Sequence, residues 1–289
     1  MLRMCQPPDP NPRPPMLKTP PNATDCHIHI YGPENQFPHA PTAKFAAPDA
    51  LPATFIKLRK VLGIERAVVV QPSGYALDNS RQLTALKELN IPGRAVVSLP
   101  MDVPEAELHR LHELGARGVR FAVGRKTSAR LEDIARFAER LVPLKWHVEF
   151  HVQQEDDPDV MLRGKSILAS FPVDTVFPHF LEIEAHQGVQ HESFQVLCDL
   201  MRNGRCWAKL SGGYRISKEP PYRDVTPFAQ ALVGIRPDRL VWGTDWPNVN
   251  FEGKMPNTTE LLDCLLEWVP DPAIRHRILV DNPGALYDF

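Results

Sequence analysis

The sequence predicts an α/β fold, a single (β/α)8 TIM barrel preceded by a proline-rich N-terminal arm, and three observations carry that expectation. Eight short runs rich in β-branched residues recur along the chain. Longer amphipathic segments closed by glycine or turn residues separate them, which is the pattern of βα units around a parallel sheet. Eight such units in about 260 residues is the length a closed barrel takes.

Residues 1–22, "MLRMCQPPDPNPRPPMLKTPPN", hold eight prolines and no apolar run of the kind a signal peptide or membrane anchor needs. They are expected to form an extended arm, disordered or lying across the surface, with the barrel in residues 23–289. The strands are expected at "DCHIHI" (25–30), "RAVVVQ" (66–71), "RAVVSL" (94–99), "RGVRFA" (117–122), "WHVEFHV" (146–152), "DTVFPHF" (174–180), "RCWAKLS" (205–211) and "RLVWGTD" (239–245). Helical patterns fill 52–63, 104–115, 131–142 and 191–204, and 258–269 with 272–289 complete the outer ring. Pro178 in the sixth run is tolerable at a strand's last residues. An open doubly wound sheet is the competing architecture, but the first βα turn, "YGPENQFPHA", has no glycine-rich phosphate loop.

A formal net charge of −2 leaves no global field for nucleic acid or an anionic membrane, so any anion binding falls to local arginines. No segment approaches 18 uninterrupted apolar residues, which argues against a membrane span. The five cysteines are odd in number and match no disulfide or zinc-finger spacing, which fits a reduced, cytoplasmic setting.

In such a barrel the chemistry sits at the C-terminal ends of the strands. Strand one ends with His27 and His29, which share a face because strand side chains alternate. Cys26 between them is expected on the opposite face, packed as a small apolar residue. Strand two runs into Gln71 and Ser73. Strand four carries Arg120, facing away from Arg117, and is followed by Arg125. Strand five ends with His151, strand six with His179, strand seven leads to Arg215, and strand eight ends with Asp245. Several ionisable groups in one barrel mouth cost desolvation unless they do chemistry. His39, His109, His112, His186, His191 and His276 lie in helices or loops and carry no such expectation.

At these residues the sequence resembles the amidohydrolase superfamily, in the amidohydrolase 2 family, and within it the lactonase branch of 2-pyrone-4,6-dicarboxylate hydrolases. The resemblance rests on "DCHIHIYGP" (25–33), "QPSGYALDN" (71–79), "RGVRF" (117–121), "WHVEFHV" (146–152), "PPYRDVTPFAQALV" (220–233), "DRLVWGTDWPNVN" (238–250) and "RHRILVDNPGALYDF" (275–289). It implies a (β/α)8 barrel and a hydrolase that opens a small carboxylated lactone, either pyrone-dicarboxylate-like, muconolactone-like or a sugar-acid lactone. It further implies that Asp245 activates water and that His27, His29 and His179 polarise the carbonyl. Arg120, Arg125 and Arg215 would clamp the substrate carboxylates; Ser73 and His151 are further candidates for substrate binding from their place at the strand ends.

Two departures are visible. The sixth strand reads "FPHFLE" where the family has an Asp-His-Met-Gly-like run, and His151 stands where the pyrone-dicarboxylate enzyme has tyrosine. His151 therefore opens an alternative: His27, His29, His151 and Asp245 as ligands of one Zn2+ in a metal-dependent amidohydrolase or decarboxylase. The arginine pattern favours the lactonase without an obligatory metal, acting as a monomer or homo-oligomer.

Overall fold

The computed structural model describes residues 2–124, 127, 129–154, 157–251 and 253–289. Eight parallel strands lie in chain order: β1 (Thr24–Ile28), β2 (Arg66–Val70), β3 (Gly93–Val97), β4 (Ala116–Val123), β5 (His147–Val152), β6 (Thr175–Pro178), β7 (Cys206–Leu210) and β8 (Leu240–Trp242). Each pairs with the next, and a bridge between Ile28 and Trp246 brings the last back to the first. The seam is tightened by His29 N–H donating to the Trp246 carbonyl at 2.7 Å and Asp245 N–H donating to the His27 carbonyl at 2.9 Å.

Alternation along each strand divides the apolar residues into two shells. Ala67, Val69, Ala95 and Val97 face outward and pack with Phe55, Leu58 and Leu62 of α1 (Pro52–Leu62) in the large outer core. Val68, Val70, Val96, Val176, Trp207 and Val241 face the lumen, where Leu286 and Tyr287 join them. Being covered on both sides, the strands read as apolar runs such as "AVVV" rather than as alternating ones. Helix α1 begins with Pro52 and stops at Gly63, whose φ of 72° only glycine adopts without strain.

The outer helices follow the expected positions closely, as at 192–203 and 258–268. The terminal segment is broken instead, into Pro272–His276, a π turn over Arg277–Asp281, and Asn282–Tyr287. The end strands are also shorter than expected, because His29 and Asp245 leave the ladder to bond across the seam.

The arm lies across the surface. Arg3–Met4 pairs in parallel with Phe45–Ala46. Farther on, the Asp263 carboxylate accepts the amides of Met16 and Leu17 at 3.1 and 2.8 Å, and Leu17 is buried. No helix among the described residues is long and apolar enough to cross a membrane.

Candidate active site

A bulge in β1 shapes the site. The register with β2 shifts between Asp25 and Ile28, so three steps of β1 match two of β2. Strict alternation therefore fails there: Cys26, expected on the outer face, instead packs with the lumen residues Val68 and Val70. His27 and His29 still meet, Nε2 to Nε2 at 3.3 Å. Below them the buried Asp25 accepts His27 N–H at 3.1 Å, Thr244 N–H at 3.0 Å and the Thr244 hydroxyl at 2.6 Å, tying the first strand to the last. Gly243 is required at this crossing, since a Cβ there would lie 2.7 Å from the His27 backbone nitrogen.

Asp245 sits beside that seam with φ at 59°. Its Oδ2 accepts the Tyr214 hydroxyl at 2.6 Å and Arg215 Nε–H at 2.7 Å. Its Oδ1 is buried with no hydrogen-bond partner among the described residues. That oxygen is 3.6 Å from Nε2 of His27, 3.6 Å from Nε2 of His29 and 3.8 Å from Nε2 of His179. Three imidazole Nε2 atoms thus surround one bare carboxylate oxygen at the mouth.

His179 reaches this point from a turn in which His179, Phe180, Leu181 and Glu182 all take φ between 52° and 60°. Four consecutive left-handed residues without a glycine are costly, of order 1 kcal/mol or more each, and persist only when surroundings impose them. Here Phe180 and Leu181 are buried in the core, and the Ser211 hydroxyl lies 2.9 Å from His179 Nδ1.

Burial sets the protonation of these groups. It pushes His27 well below the ordinary histidine range, lowers His29, and brings His179 down to about 3, so all three are neutral near pH 7. Burial alone would raise Asp245, but Arg215 and the surrounding imidazoles hold it well below the usual carboxylate range.

The remaining expected residues divide. Arg120 points into the lumen, with Nε 3.7 Å from Glu149 Oε1 and Nη1 donating to the Gln71 carbonyl at 3.3 Å. Arg215 is not a free clamp: it holds Asp245 and donates to the Val249 carbonyl at 3.0 Å, because the chain after strand seven folds directly under strand eight. Ser73 is exposed in a short turn after β2. Arg125 lies outside the described residues.

The expected zinc set of His27, His29, His151 and Asp245 needs correcting. His151 turns to Glu182, Nε2 to Oε1 at 3.4 Å, where its side chain is 28% exposed. Among the described residues, the ligand atoms that come within 4.8 Å of one another belong to His27, His179 and Asp245. By spacing, and by the bare Asp245 Oδ1, these three could hold a small cation.

Two buried charges escaped the sequence reading. Lys209 on β7 and Glu149 on β5 pair at 2.7 Å beneath His27, and neither side chain is exposed. The Glu149 carboxyl would be raised by burial, yet Lys209 and Arg120 bring it down to about 2. Their signal was their phase: Trp207, Lys209 and Ser211, like His147, Glu149 and His151, occupy alternate positions of one face.

Comparison with known proteins identifies the family and the barrel. The amidohydrolase family model, Amidohydro_2, matches residues 24–289. A 4-sulfomuconolactone hydrolase from Hydrogenophaga intermedia is 37% identical, over 93% of this chain and 89% of its own. A 2-pyrone-4,6-dicarboxylate hydrolase from Comamonas testosteroni is 34% identical, over 96% and 93%. An apo crystal structure from Agrobacterium tumefaciens superposes with a TM-score of 0.84 at 27% identity, covering 95% of this chain and 98% of that one.

Proposed function

We propose, since this chain belongs to the amidohydrolase family, that it hydrolyses a small carboxylated lactone, of the pyrone-dicarboxylate, muconolactone or sugar-acid kind. The observation that carries the reading is the unpartnered Oδ1 of Asp245 among three neutral imidazoles. A water there can give a proton to Oδ1 while its oxygen attacks the ring carbonyl carbon. The carbonyl oxygen becomes an oxyanion, held by imidazole N–H. Collapse then breaks the acyl–oxygen bond of the ring, and the released ring oxygen takes the proton.

Magnitudes divide the work. A carboxylate held well below its usual range is a weak base, so the larger share of the barrier lowering falls to the oxyanion donors. Lactones are activated esters and tolerate that division. Arg120, in the lumen and 11% exposed at its side chain, is the described arginine best placed to take a substrate carboxylate in a two-pronged bond. Arg215 acts on substrate only through Asp245.

The convergence of His27, His179 and Asp245 favours a second reading, in which a single divalent cation such as Zn2+ sits at the common point of an amidohydrolase or decarboxylase. Turnover of pyrone-dicarboxylate, muconolactone-type and sugar-acid lactones, measured with metal content before and after chelation, decides between them. Full lactone turnover at substoichiometric metal supports the first reading. Activity on acyclic carboxylates that disappears with the metal supports the second.

A further inference from the structure

The His27/His29 pair looks symmetrical in the sequence, but its hydrogen-bond surroundings are not. Lys209 Nζ lies 2.8 Å from the Cys26 carbonyl oxygen, 2.7 Å from Glu149 Oε2 and 3.1 Å from His27 Nδ1. An ammonium carries three N–H groups and no lone pair. A carbonyl and a carboxylate oxygen take two of those groups, and the third points at His27 Nδ1, which must therefore accept. Neutral His27 then carries its proton on Nε2, the nitrogen that faces the mouth.

His29 is fixed the opposite way. Its Nδ1 lies 2.8 Å from the Val70 carbonyl oxygen, which can only accept, so Nδ1 carries the proton and Nε2 offers a lone pair. The 3.3 Å contact between the two Nε2 atoms is then a hydrogen bond from His27 to His29. Each link has the direction the next one needs: Lys209 to His27, His27 to His29, His29 to Val70.

We propose that the buried Lys209–Glu149 pair is a positioning device that fixes the tautomer of His27, so that its one N–H lies on Nε2, donating to His29 in the free site and shared with the substrate's carbonyl oxygen once that oxygen enters, while His29 is the acceptor beside Asp245. This role for the tautomers rests on the lactonase reading; the tautomers themselves follow from the contacts. A buried ion pair costs desolvation that two apolar side chains avoid, so its retention beneath a catalytic imidazole needs a reason of this kind. Asp245 Oδ1 and His29 Nε2 both present lone pairs, so of these three groups His27 is the donor. A cation would need the His27 Nε2 lone pair, so the assignment favours the metal-free reading.

The test is a long-range 1H–15N correlation spectrum of the full-length protein labelled with 15N-histidine, with chelator present and no substrate. The His27→Asn spectrum identifies the His27 signals by their absence. His27 is expected to show a protonated Nε2 and an unprotonated Nδ1, and His29 the reverse. Lys209→Met alone strands the Glu149 carboxylate, so the companion variant is Lys209→Met with Glu149→Leu, which removes the pair as a unit. In it, His27 is expected to populate both tautomers, and kcat on a lactone to fall by about tenfold or more with KM little changed. A protonated Nδ1 on wild-type His27 overturns the proposal, as does a folded double variant with the wild-type tautomer and kcat. Absence of turnover on every lactone removes the proposed reaction and leaves the spectral result standing.

Discussion

Replacing Asp245 by asparagine isolates the group on which the proposed chemistry turns. The amide oxygen can take the place of Oδ2 and keep the bonds from Tyr214 and Arg215, which puts the amide NH2 where Oδ1 faces the three imidazoles. An acceptor becomes a donor at the one point where a water must lose its proton. General-base assistance contributes about 10²–10⁴ in rate, so kcat should fall by that factor, or about 3–5 kcal/mol of barrier. Stability also drops, because the Arg215 guanidinium loses its carboxylate. The Val249 and Asn250 carbonyls still accept from it, so the loss lies near the lower end of the roughly 3–5 kcal/mol seen when a buried pair is broken. Turnover of a carboxylated lactone at 25 °C, with thermal unfolding measured on the same sample, separates the two effects. A folded variant retaining kcat within tenfold of the wild type refutes Asp245 as the base.

Arg120→Met should raise KM for a carboxylated lactone by about 10–100-fold and leave a neutral lactone's KM nearly unchanged, as a steady-state comparison of the two would show. Gly243→Ala places a Cβ against the His27 backbone and should lower kcat more than it raises KM; equal activity would show that the seam yields without moving His27. Burial lowers His147 to about 4, and neither ring nitrogen has a partner among the described residues. Between about pH 6.5 and 4 the unfolded chain binds the extra proton, so this group's contribution is intact above that window and about 3 kcal/mol is lost as pH falls through it. His147→Leu should flatten that part of the denaturant-midpoint profile against pH; a slope equal to the wild type's would contradict the assignment.

Much of the architecture was legible because its signals are local and periodic. Apolar runs covered on both faces marked the strands, and strand ends carrying His27, His29, His179 and Asp245 marked the mouth. What escaped depends on contacts between distant segments. The bulge that sends Cys26 inward reflects pairing with β2, which alternation within β1 cannot report. Arg215 and His151 have the residue types of substrate binders, yet Asp245 engages one and Glu182 the other, and these two acids take left-handed backbone that no glycine at their positions announces. Lys209 and Glu149 were hidden by their apolar neighbours, although each occupies an inward position.

The seam between the first and last strands has a consequence for biosynthesis. Asp25 and Thr244 are 219 positions apart in the chain, and the lumen floor is sealed by Leu286 and Tyr287 later still. A ribosome therefore releases the first two histidines long before anything exists to bury them. Until residues 240–246 emerge, the nascent barrel has an open edge beside His27 and His29. The chemistry of the mouth is thus withheld from every incomplete chain, and a product truncated before the last strand folds, if at all, without it.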